Sequence, residues 1–403
     1  MTTNRSSQRR AKLPWMRTAA SALLLLAVLV ASSCGASHRT DTRGATTSRR
    51  TTTRHTIPTE PKYTHLALIS ARSGKILRLS DLDLRSAVAD GRDGWFVVGD
   101  IGLAHLLPNG KLDSAWGTRE SRNLGRCISC QLVKSGSRLY LAGSRFEAVS
   151  GMGEARVSVV EAFDATTGAR LWVSPAPSQD VDALAVSATR VYVGGAFTEV
   201  GNAKRQGLAA LDTKTGRLLD WRGPRLRFDP EDSAYVSALT LASSRLYVGG
   251  LFSSIGGKQQ YYLAALNPST GALLSWKPPK AAFGAYYPLQ IAIARGQLIV
   301  PGYDGFSATS LHTGHALSWP SRIEGGGADS LALDGPLLYL GANIENTLRS
   351  VDGASRNNLA VFNLATGRFA DWAPDLAPYV TVVEIAPSGD QVLVVGDFTD
   401  SIG

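Results

Sequence analysis

An all-β fold, a seven-bladed β-propeller of four-stranded blades, is predicted by three features of this chain: a β-rich unit written repeatedly along it, a tryptophan at a fixed place in that unit, and complementary half-units at the two ends of the repeated region. The clearest copy runs from Arg190 to Trp221. Val191-Tyr192-Val193 is β-branched and aromatic and stops at Gly194-Gly195, as a strand ending at a bend does. Leu208 to Leu211 is a second apolar run, and Asp212-Thr213-Lys214-Thr215-Gly216 has the chemistry of a tight turn. An Asp side chain can bond the backbone two residues on, and Gly takes positive φ. The chain returns through Arg217-Leu218-Leu219-Asp220 to Trp221, whose indole is expected to cover a neighbouring unit rather than face water. Four strands are expected in this unit, at about 181–187, 190–196, 206–212 and 217–221, and almost no helix anywhere, because no segment holds a helical period.

The turn and its Trp recur as FDATTGARLW (Phe163 to Trp172), LNPSTGALLSW (Leu266 to Trp276), SLHTGHALSW (Ser310 to Trp319) and FNLATGRFADW (Phe362 to Trp372), with a degenerate LPNGKLDSAW ending at Trp116. Successive turn glycines, Gly168, Gly216, Gly271, Gly314 and Gly367, lie 43 to 55 residues apart, the length of a propeller blade. A side chain that serves one ligand is needed once. A tryptophan present in six units, at Trp116, Trp172, Trp221, Trp276, Trp319 and Trp372, is therefore expected to dock blade against blade.

From the N-terminus, residues 1–18 carry Arg5, Arg9, Arg10, Lys12 and Arg17 and no acid, and Ala19 to Ala31 is a run of small and apolar residues too short to span a bilayer as a stable helix. That is the pattern of an export signal. Val30-Ala31-Ser32-Ser33-Cys34 resembles a bacterial lipobox, which implies a signal over residues 1–34, a lipid on Cys34 and a membrane-anchored lipoprotein at the cell surface or in the periplasm. Residues 35–62 are Thr, Ser, Arg and Pro with almost nothing to bury and read as a disordered tether, with a mean reach of roughly 30 Å.

The net charge of +9 belongs to this leader: residues 1–62 hold eleven of the 42 Lys and Arg and two of the 33 acids, leaving 31 against 31 in residues 63–403. A nucleic-acid partner requires the positive excess on the folded surface, so none is expected. The folded region, residues 63–403, opens with a second half-unit, His65 to Leu79, and closes with a first half-unit, Val380 to Gly403. Pairing them in one sheet would let the N-terminal strands complete the C-terminal blade and remove two exposed edges, giving a closed monomeric ring.

The pattern A-x-D-x-x-T-G-x-x-x-W, present from Ala162 to Trp172, resembles the tryptophan-docking repeat of quinoprotein-type (PQQ-like) propellers, and VGGAFTEVGN (Val193 to Asn202), VGGLFSSIGG (Val248 to Gly257) and VGDFTDSIG (Val395 to Gly403) are similar to the bacterial delta-sixty repeats. The resemblance implies the architecture. The vicinal cysteines, calcium ligands and stacking Trp of the quinoprotein cofactor site cannot be placed here, so neither PQQ nor any other cofactor is expected.

The long connections, such as 117–125, 223–234, 277–288 and 321–328, gather on one face of a propeller, where function would be built. Asp182, Ser237, Gln290, Asp329 and Thr381 occupy similar places near the start of the innermost strands and are candidates for the channel wall or for holding a polar ligand; Tyr235, Tyr286 and Tyr287 are candidates on the loop face. Cys127 and Cys130 suit a local disulfide better than a redox pair, since a strand rather than a helix begins there. His312 and His315 straddle a turn without further ligands nearby, so no metal site is expected. Two classes of function stay open. One is an envelope-anchored, non-catalytic binding or scaffold module for a protein or carbohydrate. The other is an extracytoplasmic enzyme at the channel, a quinoprotein-like oxidoreductase or a carbohydrate-active lyase or glycosidase.

Overall fold

The computed structural model describes residues 63–149, 153–229, 233–279, 287–302, 305–318, 323–324, 327–343, 348–374, 376 and 381–399. The expected export signal with Cys34, the expected tether, Trp319 and Tyr286 lie outside the described residues.

Among the described residues the fold is all-β, in small antiparallel sheets, and the one helix is the single turn Arg119–Arg122, capped by Thr118. Seven larger sheets, each built from successive antiparallel neighbours, are accompanied by three small ones of two or three strands. The first strands of the larger sheets are Leu84–Ala89, Arg126–Ser135, Val181–Val186, Tyr235–Ala242, Ala292–Ala294, Ser330–Asp334 and Thr381–Ser388. Each lies against the first strand of the next sheet in chain order, and Thr381–Ser388 lies against Leu84–Ala89. One sheet joins the two ends of the folded region: Ile76–Ser80, Tyr63–Ser70, Gln391–Thr399 and Thr381–Ser388 are neighbours in that order, with Leu66 opposite Val395 and Ile69 opposite Val392.

The four-strand expectation for every blade requires correction. Four sheets have four strands, but those starting at Leu84, Val181 and Tyr235 have three, and the fourth is reduced to single bridges at Leu106–Leu112, Leu211–Leu218 and Leu266–Leu273. The outermost strand is the edge of its sheet, and here it is a few residues squeezed between a tight turn and the docked Trp. A hydrogen bond such as Leu219 N–H to the Ala210 carbonyl, 2.9 Å, is all the pairing that remains.

Two glycine classes in the repeat have separate causes. The turn glycines have φ of +72° at Gly168, +69° at Gly216 and +77° at Gly271 and Gly314, a conformation that L side chains avoid. Glycines of the second strand serve close approach: a Cβ on Gly195 would meet the Asp180 carbonyl, on Gly250 that of Tyr235, on Gly143 that of Ser129, and on Gly396 that of Thr381. Gly195, Gly250 and Gly396 sit opposite the β-bulges at Val181/Ala183, Val236/Ala238 and Val382/Glu384, and Gly143 sits opposite Cys130, just past the bulge at Cys127/Ser129.

The tryptophans fill the seams. Trp116, Trp172, Trp221, Trp276 and Trp372 are all buried. Trp116 Nε1 donates to the Ala165 carbonyl at 2.9 Å, Trp172 to Thr213 at 3.0 Å, Trp276 to Ser310 at 3.0 Å and Trp372 to Ser70 at 3.0 Å. Each acceptor lies in the turn of the following sheet, and for Trp372 that turn belongs to the N-terminal strands. A Cβ on Gly168 or Gly216 would press on the indole of Trp116 or Trp172, so the turn glycine also makes room for the neighbour's ring.

Candidate functional site

The first strands enclose a cavity of about 210 Å³ to which every larger sheet contributes, through Ser86, Gln131, Leu184, Leu239, Gln290, Leu331 and Glu384. Most of its polar groups are engaged between sheets. The Leu132 N–H donates to Ser86 Oγ at 3.2 Å, the Leu184 N–H to Gln131 Oε1 at 3.0 Å and the Leu331 N–H to Gln290 Oε1 at 2.7 Å. In each case a side chain on or just before one first strand satisfies a backbone donor on the next sheet, which would otherwise be buried unpaired at a cost of about 1–3 kcal/mol. The remaining ionisable group is Glu384. Burial pushes its carboxyl up to about 8, against the opposing hydrogen bonds of the Ile385 N–H and the Ser86 hydroxyl.

Of the five residues singled out for the channel wall, only Gln290 lines this cavity. Asp182 and Ser237 are the extra residues of their bulges. Asp182 is bonded by Ser129 at 3.5 Å, and burial, followed by the charge of Asp180, raises its pKa to about 6. Ser237 is buried and donates to the Pro288 carbonyl at 2.5 Å. Asp329 accepts from the Asn343 N–H at 3.1 Å, and Thr381 is half-buried at the start of its strand. A bulge leaves its extra residue out of the strand register, so Asp182 and Ser237 do not share the orientation of the strand residues that follow them. The residues missed, Ser86, Gln131 and Glu384, are polar interruptions of apolar strand runs, and that interruption was the available signal.

On the loop face Tyr235 and Tyr287 meet edge to face, ring centroids 5.5 Å apart. Cys127 and Cys130 are buried and joined as a disulfide in the first strand of their sheet. His312 and His315 are exposed in their turn, and among the described residues no group of three or more His, Cys, Asp or Glu is placed to hold a metal ion. In the outer strands of the sheet that begins at Arg126, Arg145 pairs with Glu161 and Glu147, and Arg170 reaches Glu161 at 3.2 Å. The two Glu161 partners come from neighbouring strands of one sheet, so the cluster cross-links that sheet internally.

Comparison with known proteins places this geometry. The family described as outer membrane protein assembly factor BamB, a PQQ-like repeat family, matches residues 135–373. No curated protein matches. Among solved structures, the computationally designed Ika8 protein is 13% identical, with 80% of this chain and 86% of that one covered and a TM-score of 0.49. The extracellular domain of a one component system from B. thetaiotaomicron is 14% identical, with 79% of this chain and 37% of that one covered and a TM-score of 0.47.

Proposed function

Because the chain belongs to the PQQ-like propeller repeat family of the outer membrane protein assembly factor BamB, we propose that it is a protein-binding scaffold of the cell envelope, exported and tethered by a lipid on Cys34. In this reading the folded region is a closed ring of seven blades, and its long-loop face is the docking surface. The closed ring is supported by the cyclic succession of first strands and by the sheet that pairs Tyr63–Ser70 with Gln391–Thr399.

The observation that carries the non-catalytic reading is the set of cross-strand bonds at the axis. Ser86, Gln131 and Gln290 use their acceptors on backbone N–H groups of the adjacent sheets. A catalytic channel needs polar groups aimed at a substrate, whereas these hold the ring together. Function then falls to the rim, where the connections differ from unit to unit.

The test is site-specific photo-crosslinking in intact cells. A photoreactive residue at Tyr287 on the loop face is expected to give a discrete crosslinked envelope protein, and one at Ser269, in a turn of the opposite face, is expected to give none. Crosslinks from Ser269 alone would reverse the assignment of the docking face.

A further inference from the structure

On the face opposite the long loops a pocket of about 370 Å³ lies at the seam between the sheets that begin at Val181 and Tyr235. The hairpin of Val181–Val186 and Arg190–Gly195, the hairpin of Tyr235–Ala242 and Arg245–Leu251, and the turn at Pro268 and Ser269 come together there. Two guanidinium groups line it, Arg190 and Arg245, with the exposed side chains of Thr189, Ser243, Ser244 and Ser269 and no carboxylate. Among the described residues these four hydroxyls make no hydrogen bond within the protein, so each is available to a ligand.

Each arginine is anchored by one nitrogen and keeps the rest of its fork. Arg190 Nη1 donates to the Pro268 carbonyl at 3.0 Å and Arg245 Nη1 to the Leu311 carbonyl at 3.0 Å, and neither forms an ion pair among the described residues. The anchor is architectural, since Arg138 donates in the same way to the Thr213 carbonyl from the preceding sheet. The uncompensated charge is not. Arg138 stands opposite Asp164 and Arg190 opposite Asp212, whereas the register that pairs Leu246 with Leu266 sets Asn267 opposite Arg245. No Asp or Glu occurs from Ser233 to Gly302, so the sheet that carries Arg245 offers it no carboxylate.

The rim of the pocket is strained in a way that the fold does not require. Ser243 and Ser244 both take positive φ, +48° and +60°, in the two-residue turn between Ala242 and Arg245. The corresponding turns of four other sheets place a glycine at positive φ, at Gly136, Gly296, Gly335 and Gly389. Glycines here would relax the backbone and take two hydroxyls away from the pocket.

We infer that this pocket binds an anionic sugar unit, with its acid group against Arg245 and Arg190 and its ring hydroxyls on the Thr189, Ser243, Ser244 and Ser269 side. A guanidinium fork meets the oxygens of a carboxylate or a phosphoryl group bidentately. A Ser or Thr hydroxyl both donates and accepts, as a sugar hydroxyl does, so a row of them can take the place of water around a polyol. A neutral sugar would cover the Arg245 charge without meeting it, and a bare anion would leave the strained serines without a use. The volume falls within the roughly 300–1,000 Å³ of small-molecule sites. The site is independent of the protein docking proposed for the loop face, and either can fail without the other.

The test is calorimetric titration of the purified full chain at low salt with glucose, glucuronate and glucose 6-phosphate. At least one of the two anionic sugars is expected to bind about tenfold tighter than glucose, and the tighter of them identifies the acid group as carboxylate or phosphoryl. Ser243→Gly/Ser244→Gly is expected to weaken that binding about fivefold while the melting temperature holds or rises, a combination that damage to the fold does not produce. Arg245→Gln is expected to weaken it about tenfold, and Arg138→Gln, which loses the same anchor at another seam, is expected to leave it unchanged. Equal affinity for glucose and both anions, no binding of any of them, or binding that survives both the serine pair and Arg245→Gln overturns the inference. So does an equal loss in Arg138→Gln and Arg245→Gln.

Discussion

At the described seams Trp116, Trp172, Trp276 and Trp372 each reach across to the next turn with the same indole hydrogen bond. At the axis no such uniformity exists. Ser86, Gln131 and Gln290 make the equivalent bond with three side chains of two chemical types, and Glu384 makes none to the next backbone that matches them. The seam is a problem of burying one large apolar surface against another, and these four seams solve it in the same way. The axis is a problem of satisfying a few backbone donors in a narrow space, which many polar side chains can solve. Repetition therefore marks the residues that define the architecture, and variation marks positions where the sequence is free to change.

The comparison breaks most severely if the two chain ends are not needed. Deleting His65 to Leu79 removes the strands to which Gln391–Thr399 pairs and the Ser70 carbonyl to which Trp372 donates. It is expected to convert a monomer into aggregates with no cooperative melting, because a long second strand is left as an open edge. A truncated protein that elutes as a monomer and melts at the parent temperature would remove the basis for a closed ring.

Next in size is the loss of a seam indole. Trp276→Ala is expected to cost about 3–5 kcal/mol in chemical denaturation, the range for deleting a buried aromatic. Tyr287→Ala, on the loop face, is expected to cost about 1 kcal/mol, the scale of its one aromatic pair with Tyr235. Equal losses for the two would mean that the loop face is as much a part of the core as the seams are.

The same contrast explains what could be read from the amino-acid sequence. The turn Asp212 to Gly216 and its Trp221 announce themselves because the requirement recurs and the residue types that meet it are few. The axis residues do not, since each is a single polar interruption of an apolar run and no one residue type recurs at that place. Even the short outer strands escape the pattern, because Leu218 is hydrophobic enough to read as a strand yet has a single bridge to pair with.

At the axis the sharpest probe is pH. Glu384 has a folded pKa raised from its ordinary 4.5 to about 8 by burial, so the folded protein holds a proton that the unfolded chain has released. Stability is then fully present below about pH 4.5 and lost as pH rises through the window toward 8, a decline on the order of 2 kcal/mol after allowing for water in the channel. Asp182, raised to about 6, adds to the fall in the lower part of that window. Glu384→Gln keeps the shape without the proton and is expected to flatten the decline when denaturation midpoints are compared at pH 5 and pH 8. An undiminished slope in the variant would place the titrating group elsewhere.

The smallest expected difference lies within the tryptophans. Trp221 is buried like the others, but its Nε1 meets no partner, while the Pro268 carbonyl in the next turn accepts from the Tyr192 hydroxyl at 2.7 Å and from Arg190 at 3.0 Å. Trp276 has the full bond to Ser310. Both rings pack edge to face on a tyrosine, Tyr192 at 5.4 Å and Tyr247 at 5.1 Å, so replacing either with Phe removes a similar volume from a similar surrounding. Phe at Trp276 also deletes a hydrogen bond, whereas Phe at Trp221 removes a buried donor that had nothing to donate to. Trp276→Phe is therefore expected to cost about 1 kcal/mol more than Trp221→Phe in paired denaturation curves. If Trp221→Phe proves the costlier of the two, the indole N–H at that seam has found a partner after all, and the bond belongs to every seam alike.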